Sequence, residues 1–352
     1  MFAYNLMFVI FIILSFSERY NIFLLRSVPI IFSMLCVIIF TSIRGDVGQD
    51  TSNYLLMYLD IENYEDKLEL GFYYIANIFS KSGFSFNFFI FITSIFSVSL
   101  YYIAISKFIP RKYIILSFMI IFCDLYIYLN ISGLRQGIAL SICLFASHFA
   151  YKRRYFYFLL IVLLAAFVHK GAVVFIIVYP LLNYKPKFSL KNFCLLFFGF
   201  ISYFILIKLL FFGNENITFI KGANIYLSEG YNILSINSYI IGLCRRFYPI
   251  FLFFCFYNSI KKDPMLMSIF NVYLFGFMFY ATSYPIFQDI TVRISSYFII
   301  FESILVVRIL INLKYKINKF FVLSIIYFVV YFKIFTYSSL DAYKYTVFSG
   351  FL

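Results

Sequence analysis

The sequence predicts an all-α integral membrane protein, a polytopic bundle of about 12 transmembrane helices with short extracytoplasmic loops forming the site. Three observations lead there. Of 352 residues, 64% are hydrophobic and only 12% are charged, whereas a soluble globular chain carries about 25% charge. Apolar stretches near the about 20 residues needed to cross about 30 Å of hydrocarbon recur along the chain. Basic residues, finally, gather in alternate connections between those stretches.

In chain order the stretches lie at 2–16, 28–43, 84–106, 113–131, 134–151, 155–168, 172–183, 192–212, 239–260, 265–284, 294–313 and 320–337. Each is read as a helix, because a segment in hydrocarbon must satisfy its own backbone hydrogen bonds. No basic residue precedes the first and no small-residue cleavage site follows it, so it is expected to be a retained helix, not a signal peptide. No composition shift marks a soluble domain, and residues 1–352 read as a single polytopic membrane domain.

The net charge of +14 raises the question of nucleic acid or acidic lipid, which the placement of the charges answers. Arg19 and Arg26; Lys107, Arg111 and Lys112; Lys152, Arg153 and Arg154; Lys185, Lys187 and Lys191; Lys261 and Lys262; and Arg308, Lys314, Lys316 and Lys319 fall in six alternate connections. The positive-inside rule assigns these to the cytoplasm. Both termini and the segments 44–83, 213–238 and 338–352 are then extracytoplasmic. Positive charge is a topology signal here, and no nucleic-acid partner is expected. The six cysteines are scattered singly and expected to pack as small apolar residues, without disulfide or zinc spacing.

Five arginines break the alternation. Arg44, Arg135 and Arg293 sit at the outer ends of spans, and Arg245 and Arg246 lie about 9 Å inside the ninth. An arginine in the membrane costs about 2.5–3.5 kcal/mol on insertion scales, so it faces a bundle interior or a wet cavity with a partner. The local alternative is pairing with Asp46, Asp50, Asp124 or Asp289. The collective reading is a shared anion, and a planar guanidinium fork suits phosphate. Outside the cytoplasm there is no nucleotide pool, so a polyprenyl-linked sugar diphosphate is the expected source.

The two histidines separate. His148, just before the basic Lys152–Arg154 connection, is expected to be a packing residue. His169 stands in a turn between two short apolar runs; fourteen residues from 155 to 168 rise only about 21 Å. That turn is expected to be sunk beneath the outer boundary, where irregular backbone is tolerated only inside protein or against a wet cavity. Asp46 and Asp50 beside Arg44 offer carboxylates, but no third acid is fixed nearby and no metal is expected.

Four motifs carry a resemblance. Arg-Gly-x-x-Gly-x-Asp-x-x-x-Tyr from Arg44 to Tyr54, Leu134-Arg135-Gln136-Gly137-Ile138-Ala139, Phe167-x-His169, and Arg293-Ile294-Ser295-Ser296-Tyr297 resemble, in order, motifs of the EpsG branch of Wzy-type polysaccharide polymerases. The resemblance implies an enzyme that joins polyprenyl-diphosphate-linked oligosaccharide repeat units at the outer face of a bacterial inner membrane. It implies such donor and acceptor molecules, membrane lipid, and chain-length regulator and flippase proteins as partners. No cofactor, metal or nucleotide sugar is implied. His169 or Asp50 would take the acceptor proton, with Arg44, Arg135, Arg245, Arg246, Arg293 and Tyr297 binding diphosphate and glycan. Segment 213–238, with Lys221 and Tyr231, is long enough for a lid or glycan groove. A lipid-linked oligosaccharide flippase and a membrane O-acyltransferase are the competing classes. The product the resemblance implies is O-antigen or a related surface glycan, such as capsule or exopolysaccharide.

Overall fold

A computed structural model describes residues 1–20, 27–184, 202, 236–285 and 287–347. Apart from one isolated antiparallel bridge between Arg44 and Val347, the regular structure of these residues is helical. The helices used below are α1 Phe2–Tyr20, α2 Val28–Ser42, α3 Thr51–Leu59, α4 Leu70–Lys81, α5 Phe86–Ser106, α6 Ile114–Ile121, α7 Leu134–Tyr151, α8 Tyr155–Val168 and α9 Val178–Asn183. After the undescribed stretch come α10 Ile236–Cys255, α11 Pro264–Ser283, α12 Gln288–Ile299, α13 Glu302–Asn312 and α14 Lys316–Ser338.

The expectation of about 12 transmembrane helices needs correction. Among the described residues seven helical stretches are long and apolar enough to cross a membrane: Phe2–Tyr20, Phe86–Ser106, Arg111–Ser132, Ile236–Cys255, Pro264–Ser283, Gln288–Asn312 and Lys316–Ser338. Val28–Ser42, Tyr155–Val168 and Lys170–Asn183 are apolar but shorter. α7 has 18 residues, yet Arg135, Gln136, Ser141, Ser147 and His148 lower its apolarity. Apolar composition marked all of these alike, but length and polarity separate helices that can cross alone from those that depend on neighbours. The expected span 192–212 lies outside the described residues, apart from Ser202.

Burial locates the core. In an apolar 18-residue window of the Arg111–Ser132 and Gln288–Asn312 stretches, 94% and 83% of residues are buried, against 28% in α14 and 33% in α10. The first two are central pillars and the last two are peripheral. After α6 the backbone widens into an eleven-residue π-helix, Phe122–Ser132. Such widening is rare and frequently accompanies functional sites.

The bundle has two unlike ends. At one, segment 44–83 forms no short loop: α3, a 3-10 turn at Ile61–Tyr64 and α4 make a helical cap. The C-terminal segment returns beneath it, with Gly45 N–H donating to Thr346 O at 2.9 Å and Gly48 N–H to Ala342 O at 2.7 Å. The start of α1 joins them through Tyr4, whose hydroxyl donates to Tyr343 O. At the other end Arg308 reaches the Phe108 carbonyl at 2.6 Å, Phe108 packs on His148 and Tyr151, and Asn183 donates to Ala150 O. The described basic connections share this second end. His148 is held edge-to-face by Phe108 and Phe149, as a packing residue should be.

Candidate functional site

α8 stops at His169 because that residue is extended, at φ −153° and ψ 115°, and the chain turns back through a 3-10 helix, Lys170–Ile177. The site is therefore built on a helical hairpin and on helix ends, not on short loops. Glu69 stands at the N-cap of α4 but does not cap it. Its carboxylate reaches across to the hairpin instead. The approach depends on Gly71: a methyl group there would lie 2.7 Å from the Phe167 carbonyl oxygen.

Glu69 accepts three contacts. His169 Nδ1 lies 3.2 Å from Oε1, the Lys170 backbone N–H donates to the same oxygen at 3.2 Å, and Arg135 Nη1 donates to Oε2 at 2.5 Å. Arg135 also donates from Nε to the Tyr54 hydroxyl at 3.3 Å. Burial raises the Glu69 carboxyl, but the His169 hydrogen bond and the Arg135 charge outweigh it and hold the group at about 2. Glu69 is thus an ionised acceptor at neutral pH. With Nδ1 directed at this carboxylate, Nε2 is the imidazole nitrogen left to accept a proton.

Asp50 does not join this cluster. It lies 3.8 Å from Arg293 Nη2, and both side chains are substantially exposed, at 33% and 41%. The clusters are neighbours through Gln136, next to Arg135, whose amide donates to the Arg293 carbonyl at 2.6 Å. Arg44 takes another course: buried, it donates to the carbonyls of Thr41 and Ile131, each at 3.0 Å, and braces α2 against the π-helix. It also borders a cavity of about 570 Å³ with Asp46, Ser52, Phe86, Asn87 and Thr346. α3 separates that cavity from His169, with Ser52 and Leu55 on one face and Tyr54 and Tyr58 buried on the other.

Arg245 and Arg246 lie farther into the bundle. Lys333, fully buried, sits 2.7 Å from Asp124 and 2.6 Å from Glu302. Arg245 Nη2 is 3.4 Å from the same Asp124, to which Tyr337 also donates, while Tyr248 donates to Glu302. The Arg246 guanidinium lies over the Tyr280 ring at 3.9 Å. The cavity beside Lys333 has a volume of about 10 Å³, room for one water. Tyr128 of the π-helix stacks near Tyr337 at 6.4 Å and links this cluster to the Arg293 end.

Residues 27–347 match the family model described as the EpsG family. The chain belongs to the EpsG family. This family of membrane proteins is associated with exopolysaccharide biosynthesis. No curated protein and no solved structure matches the chain.

Set against the expected site of this EpsG-family protein, the arrangement gathers Arg135 with His169 and Arg293 with Asp50. It assigns Arg44 to backbone carbonyls and Arg245 to Asp124. Tyr297 is 1% exposed, and its hydroxyl has no hydrogen-bond partner among the described residues. It lines the interior of the bundle beside Phe175. Of expected segment 213–238, residues 213–235 lie outside those described, and Cys194 does too. Of the other cysteines, Cys123 and Cys143 are buried, whereas Cys244 and Cys255 are exposed. Sequence reasoning missed Glu69, Glu302 and Lys333. An available signal for the last two was an acid and a lysine inside apolar stretches; Glu69 lies in the polar run Glu65–Glu69 and had none.

Proposed function

We propose that this EpsG-family protein is a polysaccharide polymerase that joins polyprenyl-diphosphate-linked oligosaccharide repeats at the extracytoplasmic face of the inner membrane. The observation that carries the reading is the Glu69–His169 pair beside Arg135. A carboxylate fixes Nδ1 and leaves Nε2 as a general base, the arrangement by which histidines take protons from hydroxyls. In the reaction the acceptor hydroxyl gives its proton to Nε2 as its oxygen bonds the anomeric carbon of the donor. The bond from that carbon to the diphosphate oxygen breaks, and its electron pair leaves with the diphosphate. Arg293, the most exposed arginine of the expected set, and the free edge of Arg135 stabilise that charge. The cavity by Asp46, Ser52 and Phe86 offers a carboxylate and hydroxyl beside a ring, suitable chemistry for a sugar.

The competing flippase reading draws on the buried charges at Asp124, Glu302 and Lys333. Among the described residues the cavity beside them has room for about one water, which favours a closed set of charges over a transport path. The decisive experiment supplies lipid-linked repeats to purified protein. His169→Ala is expected to slow polymer formation on the order of 10²–10⁴-fold. Wild-type polymer from that variant would remove the base, and no polymer from the wild-type protein, with transfer of the lipid across vesicles, would replace polymerase with flippase.

A further inference from the structure

At the basic end, away from the candidate site, α1 and α14 diverge around a groove of about 1010 Å³. Its floor is apolar and aromatic, pinned by Phe16 stacking on Tyr327 and by Phe8 against Tyr331. Its mouth carries Arg19, Lys112, Lys316 and Lys319. None of these four is ion-paired among the described residues. Glu18, the sole carboxylate of α1, is buried and turned to the Ile115 backbone N–H at 3.1 Å.

The four cations are held together at a cost. Arg19 and Lys112 lie 5.8 and 5.3 Å from the centre of one ring, Tyr113, which brings two like charges to the same support. Lys316 and Lys319 occupy the first turn of α14, where the helix dipole already places positive potential. A positive-inside bias explains basic residues at this end but not their convergence on a groove. An anion among them relieves both repulsions, and apolar walls on membrane-crossing helices suit a hydrocarbon chain. Basic pockets between transmembrane helices bind anionic lipid headgroups in this way.

We propose that the groove between α1 and α14 binds an acidic phospholipid, its phosphate among Arg19, Lys112, Lys316 and Lys319 and an acyl chain along Phe8, Ile12 and Leu323. The test is native mass spectrometry and lipid titration on full-length protein in nanodiscs of phosphatidylcholine with or without phosphatidylglycerol. Wild type is expected to retain phosphatidylglycerol selectively. The double variant Lys316→Gln/Lys319→Gln should bind it about 30-fold more weakly, since each basic group near an anionic surface contributes on the order of fivefold. Ser324→Trp, at the exposed groove wall, should also weaken retention without changing charge. Lys261→Gln/Lys262→Gln, at the same end but outside the groove, should leave it unchanged. Equal loss in the control pair would overturn the proposal in favour of diffuse surface attraction. Equal retention of phosphatidylcholine, or no effect of either groove variant, would also overturn it.

Discussion

The two charged clusters of this protein are built from the same side-chain types and held in opposite ways. Around Glu69 the charges sit on a helical cap and a hairpin turn, with Arg135 and His169 side chains 23% and 22% exposed. Around Lys333 they sit inside the bundle, with Lys333, Glu302 and Asp124 side chains at 1%, 4% and 8%. Ions removed from water must be paired, because their desolvation cost returns in full once a partner is lost. Partly hydrated ions tolerate loss of a partner and are free to meet a ligand. Placement of charge thus separates a cluster that secures the fold from one that can perform chemistry.

The largest expected effect lies in the inner cluster. Lys333→Met leaves Asp124 and Glu302 without their shared cation and should destabilise by about 3–5 kcal/mol, read as a collapse of thermal stability in detergent. Replacing Glu302 as well by an apolar residue of similar volume leaves Asp124 to Arg245 and should restore part of that loss; if it does not, Glu302 and Lys333 do more than neutralise each other. Wild-type stability in Lys333→Met would erase the contrast altogether.

In the outer cluster Glu69→Gln should leave an assembled but less stable protein at neutral pH and cut polymerisation by at least an order of magnitude, toward the about 10⁴-fold loss seen where a carboxylate fixes a histidine tautomer. Its pH behaviour gives an independent reading. The carboxyl is held at about 2, below its ordinary 4.5. Its stabilisation is therefore complete above about pH 4.5 and is lost as pH falls toward 2. Melting temperatures taken between pH 5 and 3 should drop more steeply for wild type than for Glu69→Gln. Parallel curves would mean that the Glu69 contacts contribute nothing to the cap.

The smallest effect is expected at Tyr297→Phe. That change removes a buried hydroxyl without a hydrogen-bond partner among the described residues. Such a removal is near neutral or stabilising, within about 1 kcal/mol, and polymer length should not change. A lost ladder with intact stability would return Tyr297 to the substrate.

The sequence by itself determined the class of solvent, the helical character and the separation of the two ends. Those properties follow from local quantities: apolar length against membrane thickness, and the order of basic residues along the chain. The turn at His169 was legible for the same reason, since two short runs flanking a turn can be read without knowing what packs against them. Tertiary structure decided the partners. Glu69 and His169 are 100 residues apart, and Lys333 lies 209 residues from Asp124 in sequence but 2.7 Å away in space. No local pattern encodes such distances. The five arginines looked alike because insertion cost depends on type and depth, whereas their roles depend on which acceptor is nearest: carbonyls for Arg44, Glu69 for Arg135, Asp124 for Arg245, Asp50 for Arg293. Hydropathy acts through the residue itself, but electrostatics acts through whatever the fold brings beside it.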